Sequence, residues 1–503
     1  MNKLISYDLG TGGIKASIIS DSGKILEELF LPYETTYPHD KWCEQRPMDW
    51  WQRVCESTSI LLKKSGVKSS ELACAAVSGH SIVAAPFDES GNLLLESVPI
   101  WCDMRAGNVL TDFFSNVPYE RWYSTTGNGD PAECYSIMKL MWMKKHQPDI
   151  YDKTAKILGS KDFINYMLTG EMGTDPSYAA SFGVFNLIKW DYEQEFFKAA
   201  GIRREIFPDI FPSDSVIGKV TENAAEATGL PAGLPVACGG VDNMCMALGA
   251  VGTAEGRVYT SLGSSSWIAV NSKTPIIDIK TRPFVYAHAQ KGMYTSAVSI
   301  FSAGNSYRWL HDTLFSNMSF KDMDKLAEKT APGAGGVMFN PTLAGGSAQE
   351  PSPNMQGAFV GLSLGTTGPQ IIRACMEGVA MSLNAALEIL KTHTQLDNRM
   401  LLCGGGSKSA LWRRIFADVY SMDIIKTNVD QGAATLGAAA LAGNSVGIWN
   451  GYNMIDSFHN LESVEEPNSK NTAIYKEMFE IFNKLSAFVA EIGDDMAKMR
   501  VKK

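Results

Sequence analysis

The fold is decided by residues 3–31, which read KLISYDLGTGGIKASIISDSGKILEELFL. Three apolar runs in this stretch are separated by a glycine turn at Gly10–Gly13 and a tight polar turn at Asp21–Gly23. Short apolar runs that are bounded by such turns predict strands joined as hairpins. The segment therefore predicts an antiparallel meander, and not the strand, glycine loop and helix of a dinucleotide-binding fold. The predicted strands cover residues 3–9, 14–20 and 24–31.

A similar pattern returns in the middle of the chain. Residues 256–262 and 266–270 read as two strands on either side of the small-residue turn Gly263–Ser266. The chain has 503 residues, which exceeds the size at which a single hydrophobic core stops growing. We therefore expect two related α/β domains, residues 1–246 and 247–503, each of which presents a small-residue hairpin to a shared cleft.

Composition narrows the class of protein. Hydrophobic residues make up 45% and charged residues 20%, as in ordinary globular proteins. The net charge of -9 argues against a broad nucleic-acid surface. No stretch approaches the ~20 apolar residues that span a bilayer, and the N-terminus lacks the apolar run of a signal peptide. The nine cysteines form no CxxC pair, which favours reduced thiols over a zinc site. We expect a cytoplasmic protein without a nucleic-acid or membrane partner, and a homodimer stays open.

The first hairpin turn has the composition of a phosphate-binding loop. Its glycines let the backbone approach a phosphate closely, with N–H groups facing it. Thr11 adds a hydroxyl, Lys15 adds positive charge, and Asp8 at a strand end is suited to hold Mg2+ through water. The alternative is a plain hairpin turn.

An acid follows a buried strand in the segment Gly239–Asn243. Asp242 lies there on a glycine-flanked loop, where a carboxylate is well placed to accept a hydroxyl proton. Phosphoryl transfer needs mainly positioning, charge neutralisation and such an orienting acid. The alternative is a helix N-cap, a position that favours Asp.

Two further turns of small residues lie in the second half of the chain. The hydroxyl-rich turn Gly263–Ser266 suits a γ-phosphate, and three glycines at Gly404–Gly406 suit a base and ribose lying against bare backbone. Each also reads as an ordinary turn, and the second lacks the Walker spacing of a P-loop. Because these pieces are spread over both halves, they indicate a cleft between two lobes that closes over a nucleotide.

In their order, the motifs resemble the FGGY carbohydrate kinases of the actin/Hsp70-like superfamily, over residues 3–445. The series as a whole carries the resemblance, since no single motif is decisive. The motifs are DLGTGGIK at 8–15, KWCEQRPMDWW at 41–51, AVSGHS at 76–81, PIWCDMRA at 99–106, GGVDN at 239–243, SLGSSS at 261–266, RACMEGVAMSL at 373–383, GGGSKSALWRRIFADV at 404–419 and GAATLGAAALA at 432–442.

The resemblance implies a fold and a set of roles. The fold is α/β, with two actin/Hsp70-like (ribonuclease H-like) domains that flank a central catalytic cleft. The activity is ATP-dependent phosphorylation of a sugar, with Asp242 as the catalytic base and Mg2+ held near Asp8 and Asp242. The implied nucleotide-binding positions are Thr11, Gly12, Lys15, Gly263, Ser264, Ser265, Gly304, Gly404, Gly405 and Ser407. The implied sugar-binding positions are His80, Ser81, Trp101, Asp103 and Asn243.

Each sugar-side position also has a structural interpretation. His80 reads equally as a core imidazole, Trp101 as a core aromatic, and Asp103 as an ion-pair partner of Arg105. Most departures from the pattern of xylulose kinases lie on this side: Gln-Met-His becomes His80-Ser81-Ile82, and Trp-Asn-Asp becomes Trp-Cys-Asp with Cys102 in the middle. Elsewhere in the chain, Gln431 stands where an acid is frequent. A ketopentose such as xylulose ranks first as substrate. Other ketoses, polyols, signalling sugars and a non-catalytic ATP-gated sugar sensor are the alternatives.

Overall fold

The computed structural model describes residues 2–429 and 432–501, so Gln431 lies outside the described residues. Within these ranges the chain forms two large mixed sheets with helices packed on both of their faces. The prediction of two α/β domains is confirmed.

The first sheet is built from the N-terminal meander and one long parallel strand. Apolar side chains of the meander, such as Ile5 and Ile18, are fully buried, which explains why these runs are strands inside a layered domain. In order across the sheet the strands are Val216–Lys219, Pro235–Ala237, Leu72–Gly79, Lys3–Gly10, Gly13–Ser20 and Ile25–Pro32, with Gly240–Val241 also paired to Leu72–Gly79. The predicted meander is confirmed, with each strand boundary within one or two residues.

The second sheet repeats the arrangement of the first. A hairpin of Val258–Leu262 and Ser266–Ser272 lies beside the parallel strand Arg399–Cys403, just as the first hairpin lies beside Leu72–Gly79. The two domains therefore share one topology, as the repeated pattern predicts. In order across the sheet the strands are Phe284–Ala287, Tyr294–Ile300, Ser266–Ser272, Val258–Leu262, Arg399–Cys403, Asp423–Thr427 and Leu461–Glu465.

Short two-stranded pairs decorate the domains. They join Glu44–Gln45 with Val98–Pro99, Ala85–Phe87 with Lys156–Leu158, Gly173–Thr174 with Asp209–Ile210, Phe185–Asn186 with Asp191–Tyr192, and Met338–Asn340 with Ala358–Val360.

The helices largely follow the apolar periodicity. Two successive helices, Ser136–His146 and Pro148–Lys153, are divided before Pro148, because proline disfavours helical backbone in the residue that precedes it. The described helices of eight or more residues are Pro47–Ser65, Tyr119–Thr126, Ser136–His146, Ser160–Thr169, Asp242–Val251, Gly304–Leu314, Phe320–Glu328, Gly368–His393, Ala410–Tyr420, Ala433–Ser445 and Ser469–Val501. Shorter ones are Leu110–Phe114, Pro148–Lys153, Pro176–Ala179, Gln194–Ala200, Glu222–Thr228 and Ile455–Phe458.

Two small-residue helices, Asp242–Val251 and Ala433–Ser445, pack closely against each other. A Cβ atom added at Gly437 would collide with the Cys245 backbone, so glycine lets the two backbones meet. The later helix also lies on the first sheet, where the Ser17 hydroxyl donates to Thr435 Oγ1 at 3.2 Å. The chain thus returns to its first domain near its end. The predicted boundary after residue 246 falls within the first of these helices and stays a prediction.

Among the residues that the structure describes, no helix is both long and apolar enough to cross a membrane.

Candidate active site

Strand register brings two carboxylates to one edge of the first sheet. In the parallel pairing Asp8 lies opposite Ser78, and Ser78 lies opposite Gly240 on its other side. The carboxyl ends of these strands therefore meet, and Asp242 follows directly after the last of them. Asp8 and Asp242, far apart in the sequence, become neighbours whose charges repel each other.

Electrostatics distinguish Asp242 from an ordinary surface acid. Burial removes water from its carboxylate and Asp8 repels its charge, which together raise the pKa of Asp242 to about 8. Its Oδ1 accepts the Asn243 N–H at 2.8 Å, and the side chain stays partly exposed. Val241 and not Asp242 occupies the N-cap position, so the helix-cap alternative is not what the structure shows.

Asp8 is held in the same environment. Burial raises the pKa of Asp8, while a hydrogen bond from the Ser78 hydroxyl at 2.8 Å and the charge of Lys15 oppose that rise. Lys15 lies directly across the hairpin from Asp8. Two adjacent carboxylates with raised pKa values, at a sheet edge, form a donor set that a hard divalent cation would stabilise, so these residues fit Mg2+.

A buried ionic network fixes the loop that carries Asp242. The Val241 N–H donates to Ser177 Oγ at 3.0 Å, and the Ser177 hydroxyl donates to Asp175. Lys161 pairs with Asp175 at 3.2 Å and donates to the Cys238 carbonyl at 3.1 Å. All of these side chains are buried, so the loop is tied down on both sides of its glycines.

The first hairpin turn is held from behind and open in front. Gln45 Nε2 donates to the Thr11 carbonyl at 2.7 Å, Trp101 Nε1 donates to Thr11 Oγ1 at 2.8 Å, and the Tyr33 hydroxyl donates to the Gly10 carbonyl. A Cβ atom added at Gly12 would meet nothing within 4 Å. The turn is therefore rigid yet accessible, as a phosphate loop requires.

The nucleotide-side predictions of the second domain come together at the matching edge of its sheet. The Gly304 N–H donates to the Gly263 carbonyl at 2.9 Å, which joins the start of helix Gly304–Leu314 to the second hairpin turn. Ser264 and Ser265 are exposed at the tip of that turn.

The glycine-rich turn lies against the same strand end. Gly404 has a φ of 89°, and a Cβ atom there would lie 2.7 Å from the Leu262 carbonyl oxygen, so only glycine fits without displacement. A Cβ atom at Gly405 would meet nothing, which leaves open space beside the turn. Ser407 is buried, and its hydroxyl donates to the Gly404 carbonyl at 2.8 Å, so this side chain shapes the turn from within.

His80 and Ser81 directly follow the strand Leu72–Gly79 of the first sheet, and Ser81 interacts with Tyr286 of the second domain. His80 is buried against Trp50, and no well-oriented hydrogen-bond partner for either ring nitrogen is found among the described residues. Burial, with the nearby charge of Lys139, lowers the pKa of His80 to about 3, so the ring is neutral. Tyr286 lies close to both Ser81 and the Asp242 charge. His80 is therefore a buried, neutral imidazole, and a contact between it and a sugar stays a prediction.

The other predicted sugar residues differ in their availability. Trp101 is 44% exposed beside Thr11, and Asn243 is partly exposed in the first turn of the helix that begins at Asp242. Asp103 is fully buried: Arg105 pairs with it at 2.8 Å and the Cys43 N–H donates to it at 2.7 Å. Its carboxylate anchors the loop around it, and a contact with sugar stays a prediction.

Sequence reasoning missed several residues that build this site. Tyr33 and Tyr286 lie beside the charge of Asp242, and Lys161 donates to the Cys238 carbonyl just before the loop that carries Asp242. No quoted motif contains either tyrosine: Tyr33 directly follows the third strand of the meander, and Tyr286 lies on a strand of the second sheet. Gln45 lay within the quoted segment KWCEQRPMDWW, so its motif was available as a signal.

Comparison with known proteins agrees with this architecture. The N-terminal domain of the FGGY family of carbohydrate kinases matches residues 4–249, and the C-terminal domain of that family matches residues 258–446. Xylulose kinase of Bacillus subtilis is 26% identical over 99% of this chain and 100% of its own length.

Two solved structures from Lactobacillus acidophilus superpose on the whole chain. The ligand-bound xylulose kinase has a TM-score of 0.91 and 25% identity, and covers 97% of this chain and 99% of its own. The gluconate kinase has a TM-score of 0.90 and 25% identity, with coverage of 97% and 98%.

The paired sheets with their facing hairpins define a two-domain kinase of the actin/Hsp70-like fold, which confirms the predicted fold class. The chain belongs to the FGGY family of carbohydrate kinases. It is an ATP-dependent sugar kinase, like the proteins of that family.

Proposed function

We propose that this kinase phosphorylates a primary hydroxyl of a ketose, with a ketopentose such as xylulose as the first candidate. The observation that carries the proposal is the position of Asp242. It lies next to Asp8, and it also lies close to Tyr286, which in turn borders Ser81. A base that borders both a phosphate loop and a polar pocket suits transfer from a nucleotide to a hydroxyl.

The proposed role of Asp242 is to orient the acceptor hydroxyl and take its proton. Its Oδ1 already accepts the Asn243 N–H, so Oδ2 is the oxygen that would accept the proton. A raised pKa brings the carboxylate closer to the strength that general-base catalysis needs near neutral pH. The network through Ser177 and Lys161 keeps the base in place during transfer.

The nucleotide would lie between the two hairpins. The backbone N–H groups around Gly12 and the charge of Lys15 would stabilise negative charge on its phosphates. Asp8 and Asp242 would hold Mg2+, which supplies positive charge against the phosphate oxygens when bound. The open faces beside Gly12 and Gly405 support this arrangement, since neither position has a neighbour within reach of a Cβ atom.

The charges around residues 99–106, the segment that contains Trp101 and Asp103, favour a neutral acceptor over a sugar acid. Arg105 is committed to Asp103 and Glu44, and Lys139 donates to the carbonyls of Ile82 and Ile100. These cations are engaged, and His80 is uncharged. We therefore rank a ketopentose above gluconate, although the gluconate kinase superposes as well as the xylulose kinase does.

An ADP-release assay over a panel of sugars tests the proposal. The panel holds xylulose, ribulose, fructose, xylitol, glycerol and gluconate, each with ATP and Mg2+, beside a control without sugar. We expect the highest kcat/KM with a ketopentose. Gluconate as the best substrate would contradict the charge argument. Turnover that no sugar stimulates would favour the non-catalytic ATP-gated sensor instead.

A further inference from the structure

Two cysteines lie together beside Trp101 and Asp103, two of the predicted sugar-binding positions. The Sγ atoms of Cys43 and Cys102 are 2.7 Å apart, and both residues are free thiols. Cys102 lies between Trp101 and Asp103, at the position where the family pattern has asparagine. Cys43 lies directly before the short strand Glu44–Gln45.

Backbone contacts hold the two thiols in place. Strand Glu44–Gln45 pairs antiparallel with Val98–Pro99, and the Ile100 N–H donates to the Cys43 carbonyl at 3.0 Å. The Cys43 N–H in turn donates to the Asp103 carboxylate at 2.7 Å. Because both segments are fixed to each other, the sulfur contact is a property of the loop and not of one flexible side chain.

The two thiols differ in access and reactivity. Cys43 is 3% exposed, whereas Cys102 is partly exposed. The Cys43 thiol and the nearby charge of Lys139 lower the pKa of Cys102. A partly exposed thiol with a second, buried thiol 2.7 Å from it is the arrangement of an attacking and a resolving cysteine.

We propose that Cys43 and Cys102 close into a reversible disulfide when the chain meets a low-molecular-weight disulfide such as oxidised glutathione. The Cys102 thiolate attacks one sulfur of the oxidant, forms a mixed disulfide and releases one glutathione thiolate. The Cys43 thiol loses its proton, attacks Cys102 Sγ and releases the second glutathione. The two protein thiols are oxidised by two electrons in total, and the oxidant is reduced to two thiols. The Sγ atoms need to move from 2.7 Å to the disulfide length of about 2.0 Å.

The bond would join two segments that both hold the first hairpin turn. Gln45 and Trp101 each donate to Thr11, one from each segment. A consequence that rests on the proposed function is that oxidation changes the KM for sugar about threefold or more and that reductant restores it. The existence of the disulfide is tested without any turnover, so failure of the proposed sugar activity leaves this test intact.

The test is a thiol count and a peptide map of the full chain after equilibration with reduced and oxidised glutathione. In denaturant the reduced chain titrates nine thiols, and we expect the oxidised chain to titrate seven. Alkylation and tryptic digestion should then yield residues 42–53 cross-linked to residues 69–105. The second peptide also contains Cys74, so fragmentation of the cross-linked pair is needed to place the bond at Cys102. Nine remaining thiols, or a bond to Cys74, would overturn the proposal.

Three variants complete the test. In Cys43→Ser the resolving thiol is gone, so Cys102 should accumulate as a mixed disulfide with glutathione. In Cys102→Ser we expect Cys43 to stay reduced, because it is buried. The matched control is Cys55→Ser, which removes another partly exposed thiol and should leave the 42–53 to 69–105 cross-link unchanged. Loss of the 42–53 to 69–105 cross-link in Cys55→Ser would contradict a bond between Cys43 and Cys102. So would a wild-type chain in which glutathione modifies Cys55 and no such cross-link forms.

Discussion

The two hairpins of this kinase share a topology and differ in what they present at their tips. In each hairpin, the position compared lies two residues before the end of the first strand. The first hairpin has Asp8 at this position, and the second has Thr260, whose buried hydroxyl contacts Met400. The turn of the first is supported by side chains, and the turn of the second is supported by backbone N–H groups from Gly304 and Asn305. One repeated scaffold thus carries an acid in its first copy and a buried hydroxyl at the matching position of its second.

This difference predicts that charge changes in the first domain affect the chemical step far more than matched changes in the second. The largest effect is expected for Asp242→Asn, which keeps the shape and removes the base. We expect kcat to fall about 10^3-fold, within the range that general-base catalysis contributes. The KM for ATP should change little. A variant that keeps most of the wild-type kcat, measured by ADP release at saturating substrates, would show that Asp242 is not the base.

Asp8→Asn compared with Thr260→Val tests the hairpin difference directly. Asp8→Asn removes a carboxylate proposed to hold Mg2+, so we expect the Mg2+ concentration for half-maximal activity to rise about tenfold, in keeping with the ligand role of carboxylates. Thr260→Val changes the same register position of the other hairpin and should leave the Mg2+ requirement unchanged. Titration of activity with Mg2+ separates the two results. Equal shifts in both variants would mean that the hairpins are functionally equivalent.

The support behind the base gives an intermediate effect. Ser177→Ala removes the acceptor of the buried Val241 N–H, and an unsatisfied buried donor costs about 1–3 kcal/mol of folding stability. Because the loop that carries Asp242 loosens, we also expect kcat to fall about tenfold, by analogy with misplaced catalytic groups. The control is Ser215→Ala, whose hydroxyl donates to Pro212 at an exposed turn near the same loop. Thermal unfolding and kcat should both distinguish Ser177 from Ser215.

The pH dependence follows from the two facing carboxylates. Asp242 must be ionised to accept a proton, so kcat/KM should rise with pH through its raised pKa of about 8 in the free enzyme. The Asp8 charge is one cause of the raised pKa of Asp242. In Asp8→Asn, the pH range over which kcat/KM rises (the acidic limb of the profile) should therefore move to lower pH. Where Asp8→Asn leaves too little activity, the same limb can be followed through the stability profile. An unchanged limb would show that Asp8 does not influence the base.

The raised pKa of Asp242 should also make the folding stability fall as pH rises, whereas it makes kcat/KM rise. A carboxyl group whose folded pKa is raised stabilises the fold below the unfolded pKa of about 3.9, and that contribution is lost as pH rises through the folded value. Ionisation of Asp242 in the fold is therefore costly, and Asp242→Asn should raise the melting temperature relative to the wild-type chain. The gap should widen between pH 5 and pH 9 in thermal unfolding without ligands. A constant gap would indicate a cause other than charge.

Much of this fold was predictable because the signals that determine it are local. The meander of residues 3–31 and the glycine turn at Gly404 each follow from a composition that few other structures accommodate. Three glycines of the predicted nucleotide-binding set, Gly263, Gly304 and Gly404, come together in the structure, and their contact with a nucleotide stays a prediction. Sequence reasoning could not find Tyr286, because its place depends on how the second sheet meets the first.

Buried charge set a second limit on what the sequence could tell. Lys161 looks like a helix-start residue in the sequence, and only the fold shows that its ammonium joins Asp175 and the Cys238 carbonyl. Asp103 shows the reverse case, since the motif suggests a ligand contact while the structure commits the carboxylate to Arg105 and the Cys43 N–H. The pair of Asp103 with its near neighbour Arg105 is offered by the sequence, and the structure confirms it. The Cys43 N–H and the Cys238 carbonyl come from segments remote in sequence, which a one-dimensional pattern does not specify.

The smallest effects are expected in the nucleotide turn, where a matched pair of glycines allows a sharp test. Gly404→Ala places a Cβ atom against the Leu262 backbone at a φ of 89°, and such strain costs about 1–3 kcal/mol. We expect the melting temperature to fall and the KM for ATP to rise about threefold as the turn shifts, which is a loss of under 1 kcal/mol in binding. Gly405→Ala adds a methyl group to open space, so its stability should match the wild-type chain. If ATP lies against this turn, Gly405→Ala still raises the KM for ATP, whereas an unchanged KM would place the nucleotide elsewhere.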